Sequence, residues 1–248
     1  MTARVRVAPD EIDAGVVTVR GDVGHHLARV TRARVGERVV LFDGVGRERD
    51  AVVRAVVGES VELACEGDAR RGAGADGARV LWLHGVPKGD KLDAVVRQAT
   101  ELGVLALRPV YTSRSVPREK ADGARRRHER LARIAEEASR QCGRAEVPAV
   151  LDAMALDDAL DAVPAEHSVR LVAWEGATVP LRRVLERSDG EGAVAVLVGP
   201  EGGLAEDEVR RAEARGFVAV SLGPRVLRTE TVAPALLAVL SVMRGDLR

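Results

Sequence analysis

The spacing of apolar residues changes character once along this 248-residue chain. Up to about Asp68 the apolar positions come in short β-rich runs: Arg4 to Val7, Val16 to Arg20, Arg38 to Phe42, Ala51 to Val57 and Ser60 to Cys65. Gly15, Gly36, Asp43-Gly44 and Gly58 punctuate them, Asp43-Gly44-Val45-Gly46 reads as a turn, and a helical pattern interrupts over His25 to Val30. Short strands closed by glycine and Asx turns predict a small β-barrel. The stretch Gly67 to Arg79, GDARRGAGADGAR, has no period and predicts a linker at a domain boundary.

Beyond the linker, unbroken apolar runs alternate with helical patterns. Val80 to Val86, Val104 to Val110, Val169 to Glu175, Ala193 to Gly199 and Val218 to Leu222 read as strands buried on both faces. Lys91 to Leu102, Asp122 to Cys142, Pro180 to Arg187, Ala205 to Arg215 and Val232 to Met243 read as the helices between and after them. Strands alternating with helices predict parallel crossovers and an α/β domain. The expected domains are therefore residues 1–70, a barrel, and residues 78–248, an α/β sheet.

Two of those strands run into glycine turns. Gly199-Pro200-Glu201-Gly202-Gly203 follows the first, where glycines let the backbone turn sharply and expose its amides to a ligand. Leu222-Gly223-Pro224-Arg225-Val226-Leu227-Arg228-Thr229-Glu230-Thr231 follows the second and carries two arginines, a glutamate and two threonines. The two strands are expected as neighbours, and turns at their carboxyl ends form the crevice in which open α/β sheets bind ligands. Either turn alone is equally a plain strand-to-helix connection.

Charge changes the picture locally rather than globally. Lysine plus arginine equals aspartate plus glutamate, 38 each, so no overall basic signature points to nucleic acid. Between Arg114 and Arg144, however, ten basic residues face five acidic, whereas Ala145 to Leu227 carries eight basic and fifteen acidic. One segment is thus a candidate phosphate-facing surface. On the long helix Arg126, Arg130 and Arg133 share a face, and Arg140-Gln141-Cys142-Gly143-Arg144 closes it, although a charged stripe is equally a solvated face. Lys88 and Lys91 lie where Pro87-Lys88-Gly89-Asp90-Lys91 opens a helix that Asp90 is placed to cap. Few aromatics are present for base stacking, so recognition would lean on arginine, shape and backbone.

Several classes recede. No apolar run reaches the length of a membrane-spanning helix, and Met1 to Arg20 lacks the order of a signal peptide, so a cytoplasmic protein is expected. Cys65 and Cys142 are isolated, and His25 and His26 lack a third ligand at useful spacing, so no metal site is expected. A Walker GKS/T is missing, which counts against an unrelated nucleotide-binding enzyme.

LVGPEGG together with LGPRVLRTET resembles the small-subunit ribosomal RNA uridine-N3 methyltransferases of the SPOUT class. The likeness extends over the chain through HHLARVTRARVGERVVLFDG, PKGDKLDAVVRQATELGV, the Arg114 region and RQCGRAEVP. It implies an N-terminal PUA-like barrel that aids RNA binding and a C-terminal SPOUT domain with a trefoil knot, active as a homodimer through that domain. It implies S-adenosylmethionine as cofactor and 16S rRNA or the small ribosomal subunit as partner. Carried over by position, the cofactor pocket uses Leu197, Gly199, Pro200, Glu201, Gly202, Gly203, Leu222, Gly223, Val226, Leu227, Arg228 and Thr229, with Trp174 and Glu175 as a third wall. RNA contact falls to Lys88, Lys91, Arg114, Arg126, Arg130, Arg133, Arg140, Gln141 and Arg144. Arg140 stands where family members often carry an acidic residue.

Methyl transfer to uridine N3 needs alignment and removal of a weakly acidic imide proton. Arg228 suits stabilisation of the anion on the base oxygens; Glu230 or Glu201 suits proton removal, or orientation of Arg228 and the cofactor. For Glu230 the orienting role is favoured, because a glutamate beside arginines holds its proton weakly. The competing reading is a non-catalytic rRNA-binding protein of ribosome assembly.

Overall fold

The structure, a computed structural model, describes residues 2–72, 79–116, 119–187, 192–243 and 247. Two compact units divide the chain, Met1–Asp76 with Glu136–Val147, and Gly77–Ala135 with Pro148–Arg248.

The first unit is a five-stranded sheet in the order β1-β3-β4-β5-β2, where β1 is Ala3–Arg6, β2 Val16–Val19, β3 Arg38–Phe42, β4 Arg47–Val57 and β5 Ser60–Arg71. Only β1 and β3 pair in parallel. Alternation does the folding: Val17 and Val19 of β2 are buried while Val16 and Thr18 are exposed. Val5, Val39, Leu41, Ala51, Val53, Val61 and Leu63 join them in one cluster, so the sheet curls around a single core as the barrel expectation required. The helical interruption is a short α1, Gly21–His25, continued by a π-helical turn over His26–Val30. Asp43 is buried because its carboxylate accepts the amides of Val45 and Arg47, both at 2.9 Å, which makes the turn between β3 and β4.

The expected linker begins too early. β5 runs on to Arg71, since Arg70 pairs with Asp50 at 2.9 Å and a register shift between Glu48 and Asp50 absorbs the extra residues. Of the proposed linker, residues 73–78 lie outside the described residues.

The second unit is a parallel sheet ordered β12-β10-β11-β6-β7-β8, with β9 also on β7. Its strands are β6 Val80–Gly85, β7 Ala106–Tyr111, β8 Ala149–Val150, β9 Met154–Ala155, β10 Val169–Ala173, β11 Val194–Val198 and β12 Val218–Val220. Every residue of β6 and β11 is buried, as an all-apolar run demands when helices cover both faces. The helices are α2 Lys91–Glu101, α3 Ala121–Cys142, α4 Leu156–Asp161, α5 Leu181–Leu185, α6 Glu206–Glu213 and α7 Thr229–Met243. On one face Leu81, Leu83 and Leu197 pack with Leu156 and Leu160 of α4 and Val209 and Ala212 of α6. Elsewhere α2 and α7 pack together, and the Ser241 hydroxyl of α7 donates to the Leu102 carbonyl at 3.2 Å. Gly103 and Gly216 stop α2 and α6 with φ of 86° and 82°.

Three expectations change here. The strands that carry the glycine turns, β11 and β12, are not neighbours, because β10 pairs with both and lies between them. α7 begins at Thr229 rather than Val232, so Thr229, Glu230 and Thr231 belong to its first turn. Pro180 likewise caps α5 instead of lying within it.

Candidate active site

Strand ends of β10, β11 and β12 converge on one cavity of about 440 Å³. Its wall contains Trp174 and Glu175 after β10, Gly199 to Leu204 after β11, and Ser221 to Glu230 after β12. The separation of β11 and β12 is what makes room: β10 inserts a third wall between the two turns.

The first turn is folded tightly on itself. A Cβ at Gly199 would sit 2.7 Å from the Gly203 carbonyl carbon and 2.9 Å from the Leu204 nitrogen. Gly203 has φ of 72°, and a Cβ there would lie 2.5 Å from Glu175 Oε1. Neighbouring loops grip this turn. Glu201 accepts from the Lys88 amide at 3.0 Å and from Lys91 Nζ at 2.9 Å. Arg114 Nη1 donates to the Gly202 carbonyl at 2.6 Å. Burial pushes the Glu201 carboxyl up, but the hydrogen bonds from Lys91 and from backbone amides, Lys88's among them, outweigh it and leave its pKa below the usual glutamate range. Lys88, Lys91 and Arg114, expected on an RNA face, therefore all touch the first turn, and Lys91 lines the cavity.

Glu208 is one of three acids in the first turn of α6, with Glu206 and Asp207, and its part is larger than theirs. It is 1% exposed and accepts from the Ser113 amide at 2.7 Å and the Ala205 amide at 2.9 Å, tying the loop after β7 to the start of α6. Nothing in its EDE context distinguishes it from its neighbours.

The second turn is more open. Pro224, Arg225, Val226 and Arg228 are exposed, Gly223 has φ of 122°, and the Gly223 amide meets Ser221 Oγ at 3.3 Å. Arg228 lies on the cavity wall. Glu230 beside it is half-buried, and its Oε2 is buried without a hydrogen-bond partner.

Beneath both turns runs a buried chain of hydrogen bonds. Trp82 Nε1 donates to His84 Nδ1 at 3.1 Å, His84 Nε2 lies 3.1 Å from Thr229 Oγ1, and that hydroxyl donates to the Gly199 carbonyl at 2.7 Å. Burial pushes the His84 pKa down to about 4, against the pull of the Glu201 carboxylate. Thr229 thus lines the cavity, but its hydroxyl is engaged with protein. His84 escaped the sequence reading; a lone histidine in the apolar run LWLHGV, one residue before a glycine, was the available signal.

Two site expectations fail. Leu197 belongs to the core cluster with Leu81 and Phe217 and does not line the cavity, because strand alternation turns Val198 toward it instead. Arg144 is 5% exposed, with its guanidinium 3.7 Å from Glu146, and offers no surface to phosphate. Arg126, Arg130 and Arg133 are exposed on α3, with Arg130 paired to Asp93 at 3.0 Å. Arg140 and Gln141 belong to the segment Glu136–Val147 that groups with the first unit. Among the described residues no three metal-ligating side chains gather.

A parallel sheet whose glycine turns enclose a cavity, preceded by a small curled sheet, matches two family models: an RNA methyltransferase domain over residues 77–241 and an RNA methyltransferase PUA domain over residues 19–63. The chain is 30% identical to ribosomal RNA small subunit methyltransferase E of Bacillus subtilis, covering 94% of each, and 34% identical to that of Mycobacterium bovis, covering 93% of this chain and 88% of the relative. A crystal structure of a ribosomal RNA small subunit methyltransferase E from Neisseria gonorrhoeae bound to S-adenosyl methionine superposes with a TM-score of 0.84 at 29% identity, covering 98% of both chains. The chain belongs to the ribosomal RNA small subunit methyltransferase E family.

Proposed function

We propose that this chain transfers a methyl group from S-adenosylmethionine to N3 of a uridine in 16S rRNA, on naked rRNA or the small subunit. The observation that carries the reading is the cavity between two glycine turns, where Gly199 and Gly203 leave no room for a side chain, so the first turn folds tightly along the cavity wall. Its volume lies within the roughly 300–1,000 Å³ of small-molecule sites. The residues fit the cofactor: the backbone of Gly199 to Gly203 and of Leu222 to Arg228 would hold it, with Trp174 and Glu175 as the third wall. Bound there, the cofactor supplies an electrophilic methyl on a sulfonium.

The protein's own part is to align the uracil, take its N3 proton and hold the resulting charge. Arg228, exposed on the cavity wall, suits the charge on the uracil oxygens. Of the two candidate carboxylates, Glu201 is committed to Lys88 and Lys91, which lower its proton affinity and make it a positioning group. Glu230 retains a buried carboxylate oxygen with no partner, so it is the group with capacity to accept the proton, and the orienting role gives way. A pH–rate profile tests this: a base gives an acidic limb that Glu230→Gln abolishes, whereas an orienting group lowers the rate equally at every pH.

The reading as a whole is tested by mapping modified nucleotides in rRNA from cells lacking the protein and restoring the mark with purified enzyme. The unmodified uridine identifies the target; an unchanged map removes the proposal. For the RNA face, replacing Arg126, Arg130 and Arg133 together by alanine should lower the slope of log affinity against log salt by about 2. A homodimer in the cytoplasm completes the proposal, supported by the exposed apolar residues Val239 and Val242 and by Met243 on α7. Sedimentation of a fully active monomer contradicts it.

A further inference from the structure

The chain Trp82–His84–Thr229–Gly199 lies outside the chemistry just described, yet it joins both turns that bound the cavity. Its direction can be derived. The Trp82 indole nitrogen can only donate, so His84 Nδ1 must present its lone pair, and the ring proton must sit on Nε2. That proton points at Thr229 Oγ1, leaving the hydroxyl hydrogen for the Gly199 carbonyl. Each bond then has one donor and one acceptor, and both His84 nitrogens are satisfied although the residue is 0% exposed. Gly199 opens the first turn and Thr229 opens α7 at the end of the second. β11 and β12 share no ladder, because β10 stands between them, so the sheet links the turns only indirectly.

We infer that His84 is a positioning residue for the cofactor pocket: held in one tautomer by Trp82, it aims the Thr229 hydroxyl at the Gly199 carbonyl and so sets the distance between the two glycine turns. The inference rests on the proposed function for its ligand, but not for its geometry. The depressed pKa of His84 agrees with it, since a protonated ring would turn an N–H toward the Trp82 N–H and break the chain. Nothing about the two turns viewed singly calls for this arrangement; it exists because a hydroxyl and an imidazole can each accept and donate at once.

The test uses the full chain. Thr229→Val keeps the shape of the side chain and strands both the His84 Nε2 proton and the Gly199 carbonyl; Thr229→Ser keeps the hydroxyl. Calorimetry should show S-adenosylmethionine affinity weakened at least roughly tenfold in Thr229→Val and restored in Thr229→Ser. Trp82→Phe touches no cavity residue's ligand contacts, and by removing the donor that fixes the tautomer it should weaken the same affinity by about 2- to 5-fold. It serves as the readout if Thr229→Val does not stay folded. Nitrogen NMR of the wild type should find His84 protonated on Nε2 and bare on Nδ1. Wild-type affinity in both folded variants, or a ring protonated on Nδ1, overturns the inference. A wild-type chain that shows the expected tautomer but binds no S-adenosylmethionine overturns the proposed function instead.

Discussion

Around Gly199 to Gly203 the protein holds on from three sides, with Lys88 and Lys91 on Glu201, Arg114 on the Gly202 carbonyl and Thr229 on the Gly199 carbonyl. Across the cavity, Pro224, Arg225 and Val226 of the second turn stand in solvent, Val226 at 83% exposure. Ordering one residue's backbone costs about 1–2 kcal/mol, so a ligand that must settle the second turn loses part of its binding energy there. The first turn imposes no such loss, because folding has already ordered it. A cavity wall can therefore be half preformed and half adaptable, with Arg228, the arginine proposed to hold the developing charge, on the adaptable half.

The sharpest way to break this comparison is to add a methyl group to each turn. Gly199→Ala places its Cβ against backbone that cannot yield, so S-adenosylmethionine affinity should fall by at least about 100-fold in calorimetry. Gly223→Ala meets nothing within 4 Å and suffers only strain at φ of 122°, roughly 1–3 kcal/mol taken mainly from folding stability, so affinity should fall by about 10-fold or less. Equal losses would mean that both turns are preformed.

Arg228→Ala should lower kcat by about 100- to 1,000-fold while S-adenosylmethionine affinity stays within about 3-fold, since its contact strengthens as charge develops. Lysine should rescue poorly, because a point charge does not reproduce the guanidinium fork. Single-turnover rates with saturating cofactor read this directly, and a normal rate removes Arg228 from the chemistry.

The gripped side should also show in pH. His84 falls from 6.5 to about 4 on folding, so the unfolded chain takes up its proton before the folded one does. Stability contributed through His84 is complete above about pH 6.5 and is lost as pH falls toward 4, at most about 3 kcal/mol. Glu201, also depressed, acts in the same sense lower down: its contribution is present above about 4.5 and is lost below. Urea midpoints at about pH 7 and pH 5 should therefore separate for the wild type and move closer together in His84→Gln. An equal gap in both proteins would mean that His84 does not titrate with folding.

Val226→Ala gives the smallest effect. With no buried contact to lose, it should change stability by less than about 0.5 kcal/mol and leave cofactor affinity alone. A large loss would show that the second turn is closed in solution.

Much of this was legible in the order of residues. The strands of the sheet and the two glycine turns follow from apolar runs that end in Gly-Pro, because a fully apolar five-residue run has few stable homes other than a strand covered on both faces. Glu201, Gly202 and Arg228 stood out as chemistry beside flexible backbone. Less legible were residues whose role depends on a distant partner. Glu208 looked like any acidic first-turn residue until the Ser113 amide reached it, 95 positions away. Arg144 looked like part of a basic stripe, and it is buried against Glu146. Leu197 was assigned to the pocket from its place in the motif, but the two-residue period of the strand turns it into the core.

By itself the sequence determined the longer strands and helices, the places where the backbone can approach a ligand, and the membership of each apolar run, because these depend on local sterics and on periods of 2 and 3.6 residues; the short β8, β9 and α4 did not stand out. Tertiary structure alone decided that β10 stands between the two turns, which carboxylate keeps an unpartnered oxygen, and that His84 and Thr229 meet across 145 positions of sequence. Strand order and such pairings are set by which buried faces and polar groups satisfy one another over the whole unit, and no window along the chain contains both partners.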